Sequence, residues 1–270
     1  MTVDRLVSSP VFILSPPRTG STLLRRILGG NSCIHAPHEL HLTYITVGAS
    51  GLACRGMGML GLTTRDLEHL LWDRVLHDEL VRSGKRILVE KTPDNVLSWR
   101  RIAACWPQAR YIFLIRHPAH IAVSLASLHD TIRARGRRIE TDPLDKVVEF
   151  AHAVDEARAE LPGPTIRYED LTTYPAEVIS GLCAFLGVPW EPDMLDYGRV
   201  NPDRRRTLGD PSTTLESGRI HPPRPMPAME DIPKSLIGCC QSWGYFDAPR
   251  LPASAEPPVA ARPTPLLRTE

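Results

Sequence analysis

A chain of 270 residues that is 42% hydrophobic and 23% charged is long enough to bury one substantial core, and a single domain is the default expectation. Its 32 basic and 31 acidic side chains leave a formal charge of +1, which argues against a general binder of nucleic acid or of membranes and makes any anion binding local. No apolar run is long enough to span a bilayer, the start lacks a basic stretch followed by a long apolar one, and Cys33, Cys54, Cys105, Cys183, Cys239 and Cys240 form no Cys-x-x-Cys pair, so a cytoplasmic protein without a disulfide framework is expected.

The first apolar, β-favouring run is Val11 to Leu14, and others follow at Ile87 to Val89, Tyr111 to Ile115 and Thr165 to Tyr168. Each is bounded by charged or turn residues and is predicted to be a buried strand. Helical spacing covers Thr22 to Leu28, Leu67 to Leu80 with Leu67, Leu71 and Val75 on one face, Asn95 to Cys105, Ala119 to Leu128 and Leu144 to Glu160. Strands alternating with helices predict an α/β fold, a central parallel sheet flanked by helices. Gly48 to Gly61 holds five glycines and is predicted to be irregular, either a connector or a substrate lid. The stretch 248–270 is rich in proline and alanine and is expected to be a disordered tail, which leaves 1–247 as the domain.

The first strand runs into Ser15-Pro16-Pro17-Arg18-Thr19-Gly20-Ser21-Thr22-Leu23-Leu24, and helical spacing begins inside that loop. A glycine that lets backbone approach an anion, free N–H groups at a helix start and the helix dipole together make a phosphate cradle. The loop lacks the G-x-x-x-x-G-K-[ST] pattern of an ordinary kinase. Read alone it can also be a Ser-Pro-Pro turn whose Ser21 or Thr22 caps a helix. A second candidate follows Tyr111 to Ile115, where Arg116-His117-Pro118 ends a strand and Ser124 lies eight residues beyond the arginine. An arginine fork at the carboxyl end of a parallel strand suits a phosphate, although a surface carboxylate would satisfy it equally.

These two motifs, in this order, resemble the sulfotransferases that use 3′-phosphoadenosine-5′-phosphosulfate (PAPS), and their arginine-containing loop is most similar to the bacterial and tyrosylprotein branches. The resemblance extends from Val11 to about Tyr245 and implies a sulfotransferase version of the P-loop architecture. It implies that Arg18, Thr19, Gly20, Ser21, Thr22 and Leu23 hold the 5′-phosphosulfate, that Arg116 and Ser124 hold the 3′-phosphate, and that Tyr168, in Arg167-Tyr168-Glu169-Asp170-Leu171, lies near the adenine. A tyrosine ending a strand is, on its own, more often core. Arg219, in Ser217-Gly218-Arg219, and the run Arg204 to Arg206 are further candidates for the cofactor loop, in a region that departs from the eukaryotic form.

Sulfuryl transfer needs a base for the acceptor hydroxyl and cations around the departing phosphate. Glu39, in His38-Glu39-Leu40-His41, matches the catalytic glutamate of the tyrosylprotein branch and is the first choice as base, with His41 second. Without the resemblance Glu39 reads as a solvated loop carboxylate. Lys91, leaving the strand Ile87 to Val89, and Arg18 are the expected catalytic cations, with an ion pair from Lys91 to Glu90 or Asp94 as the alternative. No metal site is expected, because His35 and His38 have no partners at a ligand spacing. The expected reaction yields a sulfate ester and PAP, and the acceptor is a small molecule or a carrier-protein-bound group, as in sulfotransferase domains of polyketide assembly lines in secondary metabolism. Arg133, Arg135, Arg137 and Arg138 form either a solvated cluster or a dock for an acidic partner. An atypical P-loop nucleotide kinase and a non-catalytic nucleotide-binding protein are the alternatives.

Overall fold

A computed structural model describes residues 4–48, 50–200 and 217–246. The tail expected at 248–270 and the run Arg204 to Arg206 lie outside these residues.

Five parallel strands form one sheet: β1 (Val11–Leu14), β2 (Ile34–His35), β3 (Ile87–Glu90), β4 (Arg110–Ile115) and β5 (Thr165–Arg167), in the spatial order β2-β3-β1-β4-β5. Val11 aligns with Val89 on one side and Arg110 on the other, so β1 is central and its side chains are buried on both faces. That double burial explains why β1 and β4 read as continuous apolar runs rather than alternating ones. Period-two geometry sends Phe12 and Leu14 to one face, where they meet Trp72, Trp106, Phe150 and Leu236, and sends Val11 and Ile13 to the other, against Leu24, Ile27, Leu182 and Met194. Phe12 and Trp106 pack with ring centroids 5.4 Å apart.

The covering helices are α1 (Ser21–Gly29), α2 (Gly51–Met59), α3 (Thr64–Ser83), α4 (Trp99–Cys105), α5 (Pro118–Ala134), α6 (Pro143–Glu160), α7 (Tyr168–Thr173), α8 (Pro175–Leu186), α9 (Tyr197–Val200) and α10 (Ile237–Ser242). Particular side chains specify the ends of α1, α5 and α6. Lys85 Nζ donates to the carbonyls of Gly29, Asn31 and Ile34, satisfying acceptors at the carboxyl end of α1 and beyond. His117 and Asp142 cap α5 and α6, each followed by a proline at the first helical position.

Three expectations need correction. Gly48 to Gly61 is not irregular: α2 occupies Gly51–Met59, bounded by Gly51 and Gly61 at positive φ, and none of its residues is buried. Leu52, Arg55, Met57 and Met59 favour helix strongly enough to outweigh two internal glycines. The face that α3 buries is not Leu67, Leu71 and Val75 but His69, Trp72, Asp73 and Leu76. The indole of Trp72 is large enough to set the rotation, and its Nε1 donates to the Ile45 carbonyl. Asp73 is tolerated inside because its carboxylate accepts from the N–H groups of Leu6 and Val7 and from Trp106 Nε1. Thr165 to Tyr168 also ends one residue early as a strand, since Tyr168 begins α7. No helix among the described residues is long and apolar enough to cross a membrane.

Candidate active site

The chain leaves β1 toward one edge of the sheet and leaves β4 toward the other, so the loops after these neighbouring strands diverge and open a crevice at their carboxyl ends. The loop after β1 is closed by Thr19 Oγ1 donating to the Pro16 carbonyl at 2.8 Å. Arg18 and Gly20 both have positive φ, 65° and 88°. No side chain caps α1 and its first turn carries no acid, so its leading N–H groups face the loop without a competing acceptor from a capping residue. Gly20 is required twice: its φ is left-handed, and a Cβ there would stand 2.4 Å from Cδ2 of Tyr168.

One group of side chains gathers on the β4 side of that loop. Arg116 donates through one terminal nitrogen to the Arg18 carbonyl at 3.0 Å and lies 4.3 Å above the Tyr168 ring, while Arg18 Nε donates to Ser124 Oγ at 3.1 Å. Thus Arg18, Gly20, Arg116, Ser124 and Tyr168, drawn from four segments, form one cluster. Arg116 Nε is buried with no hydrogen-bond partner among the described residues, and burial is the largest influence on this guanidinium, disfavouring its charge. A phosphate would satisfy that donor and offset the desolvation.

A second group lies on the β3 side. Lys91 is 1% exposed, and its ammonium donates to Thr22 Oγ1 at 3.0 Å and to Glu39 Oε1. Burial pushes its pKa down and Glu39 opposes that shift. The partner of Lys91 is therefore Glu39, neither Glu90 nor Asp94. Glu39 is largely buried rather than solvated, and His41 Nε2 stands 3.5 Å from its other oxygen. His41 is more exposed, at the mouth of this group, with φ at 50°. Carboxylate, ammonium and the first turn of α1 thus adjoin, with the Arg18–Arg116 cluster across the loop.

Of the residues expected here, Arg219 has an exposed side chain, and its carbonyl accepts from Tyr197 Oη at 3.0 Å. Arg18 Nε bonds Ser124, on the β4 side of the loop. Sequence reasoning missed Arg25, whose terminal nitrogen donates to the carbonyls of Ala36 and Pro37 just before Glu39, and it treated Glu90 only as a partner for Lys91. A charged side chain inside an apolar run, as in Ile87-Leu88-Val89-Glu90, was the available signal, since burial demands partners. The basic residues at 133–138 are exposed, with Arg133 near Asp130 and Arg138 paired to Glu140.

Residues 10–192 match the profile of the sulfotransferase family. Among solved structures, a sulfotransferase domain from the curacin biosynthetic pathway is 24% identical, with a TM-score of 0.63 over 89% of this chain and 99% of that one. The sulfotransferase domain of the Synechococcus PCC 7002 olefin synthase is 23% identical, with a TM-score of 0.62 over 90% of this chain and 97% of that one. These likenesses concern the fold. Protein-tyrosine sulfotransferase 1 of Danio rerio is 23% identical over 69% of this chain and 55% of its own length. The chain spans between 26% and 55% of the length of three curated relatives that it matches.

Proposed function

Since the chain belongs to the sulfotransferase family, we propose that it moves a sulfuryl group from PAPS to a hydroxyl of a small-molecule or carrier-bound acceptor, leaving a sulfate ester and PAP. The observation that carries this reading is the Glu39–Lys91–Thr22 contact at the first turn of α1, with Arg116 and Ser124 across the same loop. A donor with phosphate at both ends needs two anion sites and a base beside one of them. PAPS supplies the activated sulfuryl group and the phosphate that departs with PAP.

Glu39 takes the proton of the acceptor hydroxyl as that oxygen bonds to sulfur and the bond from sulfur to the phosphate oxygen breaks. Before transfer Lys91 donates a hydrogen bond to Glu39. As Glu39 gains the proton it ceases to neutralise Lys91, at the moment when charge builds on the departing phosphate, and the ammonium turns to that charge. The N–H groups at the start of α1 stabilise the same oxygens without reorganising. Arg116 and Ser124 hold the 3′-phosphate, Arg18 braces Ser124, and Tyr168, stacked beneath Arg116, borders the adenine.

The test is incubation with radiolabelled PAPS and three acceptors in parallel: a 3-hydroxyacyl pantetheine thioester, a phenol and a monosaccharide. Label should pass to one of them with equimolar release of PAP. Label on none, together with phosphate transfer from ATP and magnesium, would make the protein a kinase.

A further inference from the structure

Glu90 is fully buried, and all its hydrogen-bond donors among the described residues are neutral. Its Oε1 accepts from the backbone N–H of Leu40 at 3.3 Å and from Thr92 Oγ1 at 2.7 Å, while Oε2 accepts from Asn95 Nδ2. Thr92 Oγ1 in turn accepts from the N–H of His41 at 3.2 Å. Two consecutive backbone donors, those of the residues directly after Glu39, are therefore anchored to the end of β3. On the other side of Glu39, Arg25 holds the carbonyls of Ala36 and Pro37 at 2.9 and 3.0 Å. His41 has a left-handed backbone, a conformation that a non-glycine residue keeps only when its surroundings impose it.

We propose that Glu90 and Thr92 are positioning residues that hold the turn after Glu39, so that the Glu39 carboxylate stays on Lys91 and in reach of the acceptor hydroxyl. Burying an acid at 0% exposure costs stability unless something is gained by it. Burial pushes its carboxyl pKa up, and its oxygens accept from the turn after Glu39, from Thr92 and from Asn95. The inference rests on the reading of Glu39 as the base. Misplacing a catalytic group by about 1 Å can cost roughly 100-fold in rate.

Three variants separate this role from a general structural one. T92V keeps the volume and removes the hydroxyl that links His41 to Glu90. T92S restores it. E90Q retains Oε1 as an acceptor for Leu40 and Thr92, and once the Asn95 side chain turns over the new amide can donate to Asn95 Oδ1, which is buried without a hydrogen-bond partner among the described residues. The measurements are kcat and KM with radiolabelled PAPS and whichever of the three named acceptors the parent protein labels, PAP affinity by calorimetry, and hydrogen exchange at the Leu40 and His41 amides. T92V should lower kcat about 10- to 100-fold, leave the KM for PAPS and the affinity for PAP within about twofold, and speed exchange at both amides. T92S and E90Q should stay within about threefold of the parent in kcat. Parental kcat in T92V, or a parallel loss of PAP affinity, overturns the proposal, as does unchanged amide exchange. The reading of Glu39 fails separately, through parental turnover in E39Q, whatever T92V does.

Discussion

Glu39 is a buried charge and Arg116 a half-buried one at the same crevice, and their neighbours give them different work. Glu39 touches Lys91 and not the Arg116 cluster, so E39Q should lower kcat by roughly 10²- to 10⁴-fold while PAP affinity, measured by calorimetry, hardly changes. Arg116 does the reverse. R116A should weaken PAP more than adenosine-5′-phosphosulfate, because only PAP carries a 3′-phosphate, and an equal loss for both ligands would remove Arg116 from that site. At this scale the family resemblance carried most of the choice: it singled out Glu39, Ser124 and Tyr168, which residue type alone did not, beside Arg18, Lys91 and Arg116, and the fold brings all six to one end of the sheet in two groups. Pairings were less legible. Lys91 had two acids nearer in sequence, Glu90 and Asp94, and it chose Glu39, 52 positions away, because partners across strands depend on register that a single chain does not reveal.

The loop between β1 and α1 is the element on which the site depends, and Gly20 is its least replaceable residue. G20A combines a left-handed φ with a Cβ driven into the Tyr168 ring, so it should lower stability by about 1–3 kcal/mol and weaken PAP binding, both read from melting with and without PAP. Undiminished PAP binding in G20A would mean that the loop is not the cradle. Strands were the most legible elements, since β1 reproduces the apolar run Val11 to Leu14 and β4 extends the run from Tyr111 by one residue. The two-residue β2 offered no pattern to find. The rotation of α3 was misread because leucines were weighted over one tryptophan and an aspartate whose hydrogen bonds depend on the distant segment 6–7 and on Trp106.

Across the whole molecule, several histidines are buried in a state that resists charging. Burial lowers His35, His69, His117, His120 and His129, with His117 pushed down to about 4. The unfolded chain takes up these protons near the ordinary 6.5, so the stability they contribute is present above that pH and is lost as pH falls toward 4. Glu90 acts in the opposite sense, since its raised carboxyl binds a proton in the folded state first and offsets part of the loss. H117N keeps an acceptor at the start of α5 and removes the titration, so its melting temperature should fall less than the parent's between about pH 7 and 5. The near-zero net charge, by contrast, said only that anion binding must be local, and the proposed function assigns it to the loop after β1 and to Arg116. That claim is tested most directly, and without knowing the acceptor, by melting the protein with PAP and with ATP and magnesium. PAP alone, without added metal, should raise the melting temperature in proportion to the logarithm of its concentration once it exceeds the Kd. No rise with PAP and a clear rise with ATP and magnesium would contradict the account.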